Sequence, residues 1–215
     1  MKFLAALVHA AVAADAAASK VAFDNPPSIT GLSHHGFRIA SEITWAVRFR
    51  TQALSGAHDN APGVRATSTL TLNSFNFTVE PLEFERVPSH PSMWFRPELC
   101  PSVNDLPHCT ESIAFGFISI SDPVDGAKYK YQWTPKPPID VAFNTTYWFT
   151  VNSTRKTWAK SPVWVDGYKK FVSNNDPLGD VRLAFNRNDG DPWKLIPLRD
   201  GRSTPSLQVH ATHSS

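Results

Sequence analysis

Cysteine is nearly absent from this chain: Cys100 and Cys109 are the only two. Zinc usually takes four ligands and only His108 stands beside this pair, which makes a structural metal the poorer reading. Nine positions apart, with Pro101 and Pro107 between them, they read instead as one disulfide clasping a loop in an oxidising compartment. Helical periodicity is missing too. No stretch of ten or more residues repeats its apolar positions every 3.6, and eighteen prolines would break the hydrogen-bond ladder of long helices. A helical bundle is excluded. The G-x-S-x-G elbow of serine hydrolases does not occur. With a net charge of +2, no basic run interleaved with aromatics and no acidic tail, nothing marks a nucleic-acid partner. The one long apolar run is at the N-terminus, and it falls short of the ~20 residues a helix needs to cross a bilayer.

That run, within MKFLAALVHAAVAADAAA, has the plan of a secretory signal. Lys2 is the positive end, residues 3–14 the apolar segment, and Ala11-Val12-Ala13 and Ala16-Ala17-Ala18 two small-residue cleavage sites. Residues 1–18 are therefore expected to be removed, followed by an N-terminal arm over 19–36, loosely held or contributing an edge strand, and a single domain over 37–215. Three N-x-S/T sequons, at Asn76, Asn144 and Asn152, suit a glycosylated extracellular protein. Residues 207–215 lack the hydrophobic tail of a lipid-anchor signal, so free secretion is the expectation.

Alternation with period 2 dominates what remains. Ile43, Trp45, Val47 and Phe49 are apolar while Thr44, Arg48 and Arg50 take the other side, the pattern of a half-buried strand. Leu70 and Leu72 lie on even positions, then Phe75, Phe77 and Val79 on odd ones, so a bulge or tight turn belongs at Asn73-Ser74. Asn76 falls on the polar side of that strand, where its sequon would be accessible. Residues 113–120 (IAFGFISI) are apolar on both sides and read as a central strand buried on both faces. Further alternating runs cover 129–133, 146–152, 181–185 and 206–212, with a shorter one at 82–86. Turns rich in Pro, Asn, Asp and Gly separate them. About nine to eleven short strands between turns make an all-β, two-sheet antiparallel sandwich of jelly-roll type.

Four segments carry a family resemblance. They are residues 44–51 (TWAVRFRT), 142–151 (AFNTTYWFTV), 188–193 (NDGDPW) and 206–209 (SLQV). Together they resemble the extracellular β-sandwiches called choice-of-anchor domains, the second segment most specifically. The resemblance implies a sandwich fold and an extracellular setting, and it brings no catalytic residues with it. The chain departs from that pattern by inserting residues 88–109 and by showing no C-terminal sorting anchor.

Candidate chemistry is sparse. Polysaccharide-cleaving jelly rolls set two carboxylates across a groove; Glu42 and Glu111, each placed at the start of a strong strand, are the weak candidates here. Asn186, Asn188, Asp189 and Asp191 surround Gly190 with alternating oxygens like a calcium loop, without the bidentate Glu. Turn formation explains the same letters, so no cofactor is expected beyond a possible calcium ion. Of the seven tryptophans, Trp45 and Trp133 share parity with apolar positions and belong in the core. Trp148 takes the outward parity opposite Tyr147 and Phe149, where a ring can stack on a sugar unless a loop such as 158–164 covers it. Trp158 and Trp164 complete that ligand-binding set. The expectation is a secreted, non-enzymatic sandwich that binds a glycan or a surface partner, with no nucleic acid and no membrane span. A jelly-roll hydrolase or lyase and a structural or effector-like interaction protein are the rivals. Intact-mass analysis of secreted protein should find an N-terminus after residue 13 or 18, and thiol labelling should fail until the protein is reduced. Full-length mass, or labelling without reductant, would contradict this reading.

Overall fold

Proline and alternation together leave strands as nearly the whole of the regular structure. The computed structural model describes residues 20–27, 36–51, 69–81, 93–120, 127–154, 161–170, 181–188, 190–197 and 203–213. The expected signal peptide, the 82–86 strand, Trp158 and Asp189 lie outside them. In chain order the strands are β1 (Lys20–Asn25), β2 (Gly36–Arg38), β3 (Ile43–Arg50), β4 (Thr69–Glu80), β5 (Met93–Val103) and β6 (Leu106–Pro107). After a 3-10 turn at Cys109–Glu111 come β7 (Ala114–Phe115), β8 (Ile118–Ile120), β9 (Tyr129–Trp133), β10 (Ile139–Ala142) and β11 (Thr146–Ser153). The rest are β12 (Val163–Lys170), β13 (Leu183–Arg187), β14 (Lys194–Leu195), β15 (Ser203–Pro205) and β16 (Leu207–His213).

Two antiparallel sheets result. The first runs β1-β16-β4-β12-β15, with β9 and β10 also on β4 and β2 on β12. The second runs β14-β13-β3-β11-β5-β6, with β7 and β8 also on β5. The parity switch in β4 is a bulge: Phe75 faces Val209 and Ser74 faces His210, but Leu72 faces Ala211, so Asn73 is the extra residue. The bulge lets Leu70, Leu72, Phe75, Phe77 and Val79 all turn inward, and all are buried. They meet β3 and β11 of the other sheet: Phe75 stacks on Phe149 at 5.1 Å, and Phe49 lies edge-on to Phe75 at 6.3 Å. Tyr131 packs against Phe77 and Phe95, and burial, then the neighbouring Tyr129, pushes its hydroxyl pKa up to about 12.

The arm over 19–36 contributes an edge strand, β1, in which Asn25 is fully buried and holds three elements together. Its Nδ2 donates to Thr204 Oγ1 and to the Pro205 carbonyl, both at 2.9 Å, and its Oδ1 accepts from the Lys169 backbone at 2.8 Å. Gly167 makes room for this carboxamide, since a Cβ there would sit 2.3 Å from it. One expectation is corrected: residues 113–120 do not form one central strand. They break into β7 and β8 at Gly116, which passes so close to Trp133 that a Cβ would lie 2.4 Å from Nε1. Both pieces pair with β5.

On β3 the inward register holds: Trp45 and Phe49 are buried, and Trp45 Nε1 donates to the Arg38 carbonyl at 2.7 Å. Arg48, expected on a solvated side, is also buried and pairs with Asp105. Truncating Trp45 or Phe49 to Ala should remove ~3–5 kcal/mol. Thr44→Ala, which loses one hydrogen bond accepted from Asn152, should cost about 1 kcal/mol. Urea denaturation midpoints check this, and three coincident midpoints would refute the register.

Candidate functional site

Outward-pointing side chains of the second sheet divide into a covered end and an open edge. At the covered end, Arg48, Trp148 and Cys100 lie side by side across β3, β11 and β5. Trp148 has the outward parity expected of it, yet it is 0% exposed. Ala46, Cys100 and Ala184 surround it, with Cys109, Trp193 and Leu195 packed on the cluster. Its Nε1 donates to Ser102 Oγ at 3.1 Å. The Cys100–Cys109 disulfide forms as expected, and the clasp it closes helps to cover the indole. The expectation of a sugar stacking on Trp148 is therefore overturned. Trp164 fails as a surface residue for a different reason: it lies in the core against Phe77 and Phe149, with Nε1 donating to the Ser206 carbonyl at 2.7 Å.

The open edge lies at β5, β7 and β8. Exposure alternates strictly from 111 to 119, with the odd positions outward. Ile113, Phe115 and Phe117 therefore project from the sheet; Phe115 is 56% and Phe117 60% exposed. Trp94 joins them from β5 at 38%, edge-on to Phe117 at 6.4 Å, while Phe117 and Phe115 lie 6.0 Å apart. The Arg96 guanidinium sits over the Phe115 ring at 5.1 Å and 3.7 Å from Glu98 Oε2. Arg96 is level with Asn152 on β11, Asn152 donates to Thr44 Oγ1 at 2.8 Å, and Thr44 is level with Asn186 on β13. Asn186 Oδ1 is buried without a hydrogen-bond partner. A row of planar polar side chains thus leads across the sheet to the exposed rings.

No family model, curated protein or solved structure matches this chain.

Glu42 and Glu111 do not meet. Glu42 sits in the turn that precedes β3, and Glu111 in the 3-10 turn beyond Cys109 rather than at the start of a strand. Strand register places Glu42 level with Trp94 and Glu111 near Ser102, about seven to eight rows apart, or ~25 Å along the sheet at ~3.3 Å per residue, against the ~5–9.5 Å that paired glycosidase carboxylates require. Glu111 faces His108 at 3.5 Å instead. Of the calcium-loop candidates, Asp189 lies outside the described residues. Asn186 belongs to β13, Asn188 directs its amide nitrogen to Asp191 Oδ2 at 3.1 Å, and no group of three or more His, Cys, Asp or Glu side chains placed to hold a metal ion occurs among the described residues.

The sequons part company as well. Asn76 is only 7% exposed and lies between β9 and β16, its Nδ2 2.9 Å from His210 Nε2. Burial, then Lys130, holds the His210 pKa below its usual value, with Asp24 opposing, which favours the neutral ring this contact needs. The expectation of an accessible Asn76 fails because sheet partners flank it on both sides. Asn152 is half-buried. Asn144 stands exposed at a turn with φ 56°.

The aromatic edge escaped the sequence reading because residues 113–120 are apolar at both parities, and neither parity declares which side is covered. Gly116 was the available signal, since a glycine within such a run marks a break or a close backbone approach. Trp148→Ala should destabilise the protein by ~3–5 kcal/mol, as a buried aromatic does, whereas Trp94→Ala should stay within about 1 kcal/mol, as at other exposed positions. Equal losses of thermal stability would reverse the assignment of the two tryptophans.

Proposed function

We propose that this protein is a secreted, non-enzymatic β-sandwich that binds an extracellular glycan on the exposed surface of Trp94, Phe115 and Phe117. The observation that carries this reading is an outward aromatic strip, level with the Arg96-Glu98 pair and the Asn152-Thr44 row. A pyranose presents an apolar C–H face and a rim of hydroxyls. The rings match the first by burying apolar area, and the planar polar groups match the second by accepting and donating hydrogen bonds. A protein partner would call for roughly 800 Å² per side, far more than a few rings supply. The signal-like N-terminus, the disulfide and the Asn144 sequon support an extracellular setting, as does the resemblance to choice-of-anchor domains.

A glycan array screened with wild type, Trp94→Ala and Phe117→Ala tests it. Wild type should bind a defined glycan set, and each variant should weaken binding by ~1–3 kcal/mol, the scale of aromatic stacking on other flat ligands, with thermal stability retained. The double change Glu42→Gln, Glu111→Gln should leave binding unaltered. Binding that ignores both ring deletions, or polysaccharide cleavage that vanishes in the double acid variant, would overturn the proposal.

A further inference from the structure

The opposite edge of the second sheet carries a concavity of about 190 Å³, lined by Phe185, Arg187, Asp191, Pro192 and Lys194. Its construction follows from strand register. Phe185 and Lys194 are direct partners across β13 and β14, and Arg187, two residues beyond Phe185, projects on the same side. Phe185 forms the floor. Its ring lies 5.5 Å from Trp45, which lies 4.8 Å from Phe37, so the floor rests on core aromatics. The connecting turn supplies the remaining wall. Asn188 at φ 71° and Gly190 at φ 97° bend the chain back. The Asn188 carbonyl accepts from the Asp191 backbone at 3.3 Å, and its side-chain amide donates to Asp191 Oδ2 at 3.1 Å.

Charge identifies the ligand. Arg187 and Lys194 are both exposed and have no ion-pair partner among the described residues. With Asp191 they give the described lining one positive charge in excess. We infer that this cleft binds a uronic acid unit of an acidic polysaccharide. The sugar carboxylate sits between Arg187 and Lys194, the apolar face of the ring lies on Phe185, and a hydroxyl donates to Asp191 Oδ1. Each element excludes a competitor. A neutral sugar leaves both cations uncompensated, a simple carboxylic acid leaves the phenyl floor uncovered, and a sulfate ion offers neither an apolar face for Phe185 nor a hydroxyl for Asp191. This inference does not rest on the aromatic surface at β5, which lies at the far edge of the sheet.

Titrating the full-length secreted protein with D-glucuronate, followed by the amide resonances of Phe185 and Lys194, tests it. D-glucose, acetate and sulfate serve as controls. Glucuronate should saturate with a dissociation constant of about 1 mM, each control should bind at least about tenfold more weakly, and added salt should loosen the complex. Lys194→Gln and Arg187→Gln, both at exposed positions, should each weaken glucuronate binding about tenfold, roughly the effect of losing one charge-assisted hydrogen bond, with unchanged thermal midpoints. Trp94→Ala should have no effect on it. Acetate or sulfate binding as well as glucuronate would reduce the cleft to a cationic surface and overturn the inference. So would the absence of saturation, or binding that survives both charge deletions.

Discussion

The contact between Phe75 and Phe149 is the point at which the two sheets become one molecule. Their rings stack with an interplanar angle of only 4°, and Trp133 stacks on Phe75 from β9 at 5.0 Å. Around that pair Phe49, Phe77, Tyr131 and Trp164 continue the aromatic layer from both sheets. Rings of this size bury much apolar area per residue and gain further from offset or edge-on geometry. The bulge at Asn73 is the condition for it. Without the extra residue, either Leu70 and Leu72 or Phe75 and Phe77 would face outward, because a one-residue slip inverts a strand.

With packing concentrated between the sheets, the outer faces are free to differ. On the first sheet hydrogen bonds run from side chain to side chain: Lys130 donates to Gln208, and Gln208 donates to Asp24. Asn76 faces His210 beside them, and Thr71 donates to Asp140 nearer the other end of β4. The second sheet is uneven. The disulfide clasp and Trp193 bury Trp148 at one place, while at the β5 edge the backbone of Gly116 sits against Trp133 and leaves Phe115 and Phe117 in solvent. Exposed apolar rings beside planar hydrogen-bonding groups are costly to keep on a surface unless they bind something. That is why the proposed function rests on this edge rather than on the tryptophan with the most suggestive sequence position.

By itself the sequence determined β3, β4, β9, β11, β13 and β16, with the inward sets of those strands and the β4 bulge; it did not mark β5, β12 or the shorter strands. It also paired the two cysteines and put Trp45, Phe49 and Trp133 in the core. These properties are local: period 2 relates each residue to its neighbours along the chain, and nine residues between cysteines make a closable loop. Only the tertiary structure decided what covers each outward side. Trp148 and Asn76 had the correct parity and were still buried, one beneath a clasp, the other between flanking strands. Phe115 and Phe117 looked like core and were left bare. The reason is physical: alternation says which side of a strand a residue takes, while burial depends on what the rest of the chain lays over that side.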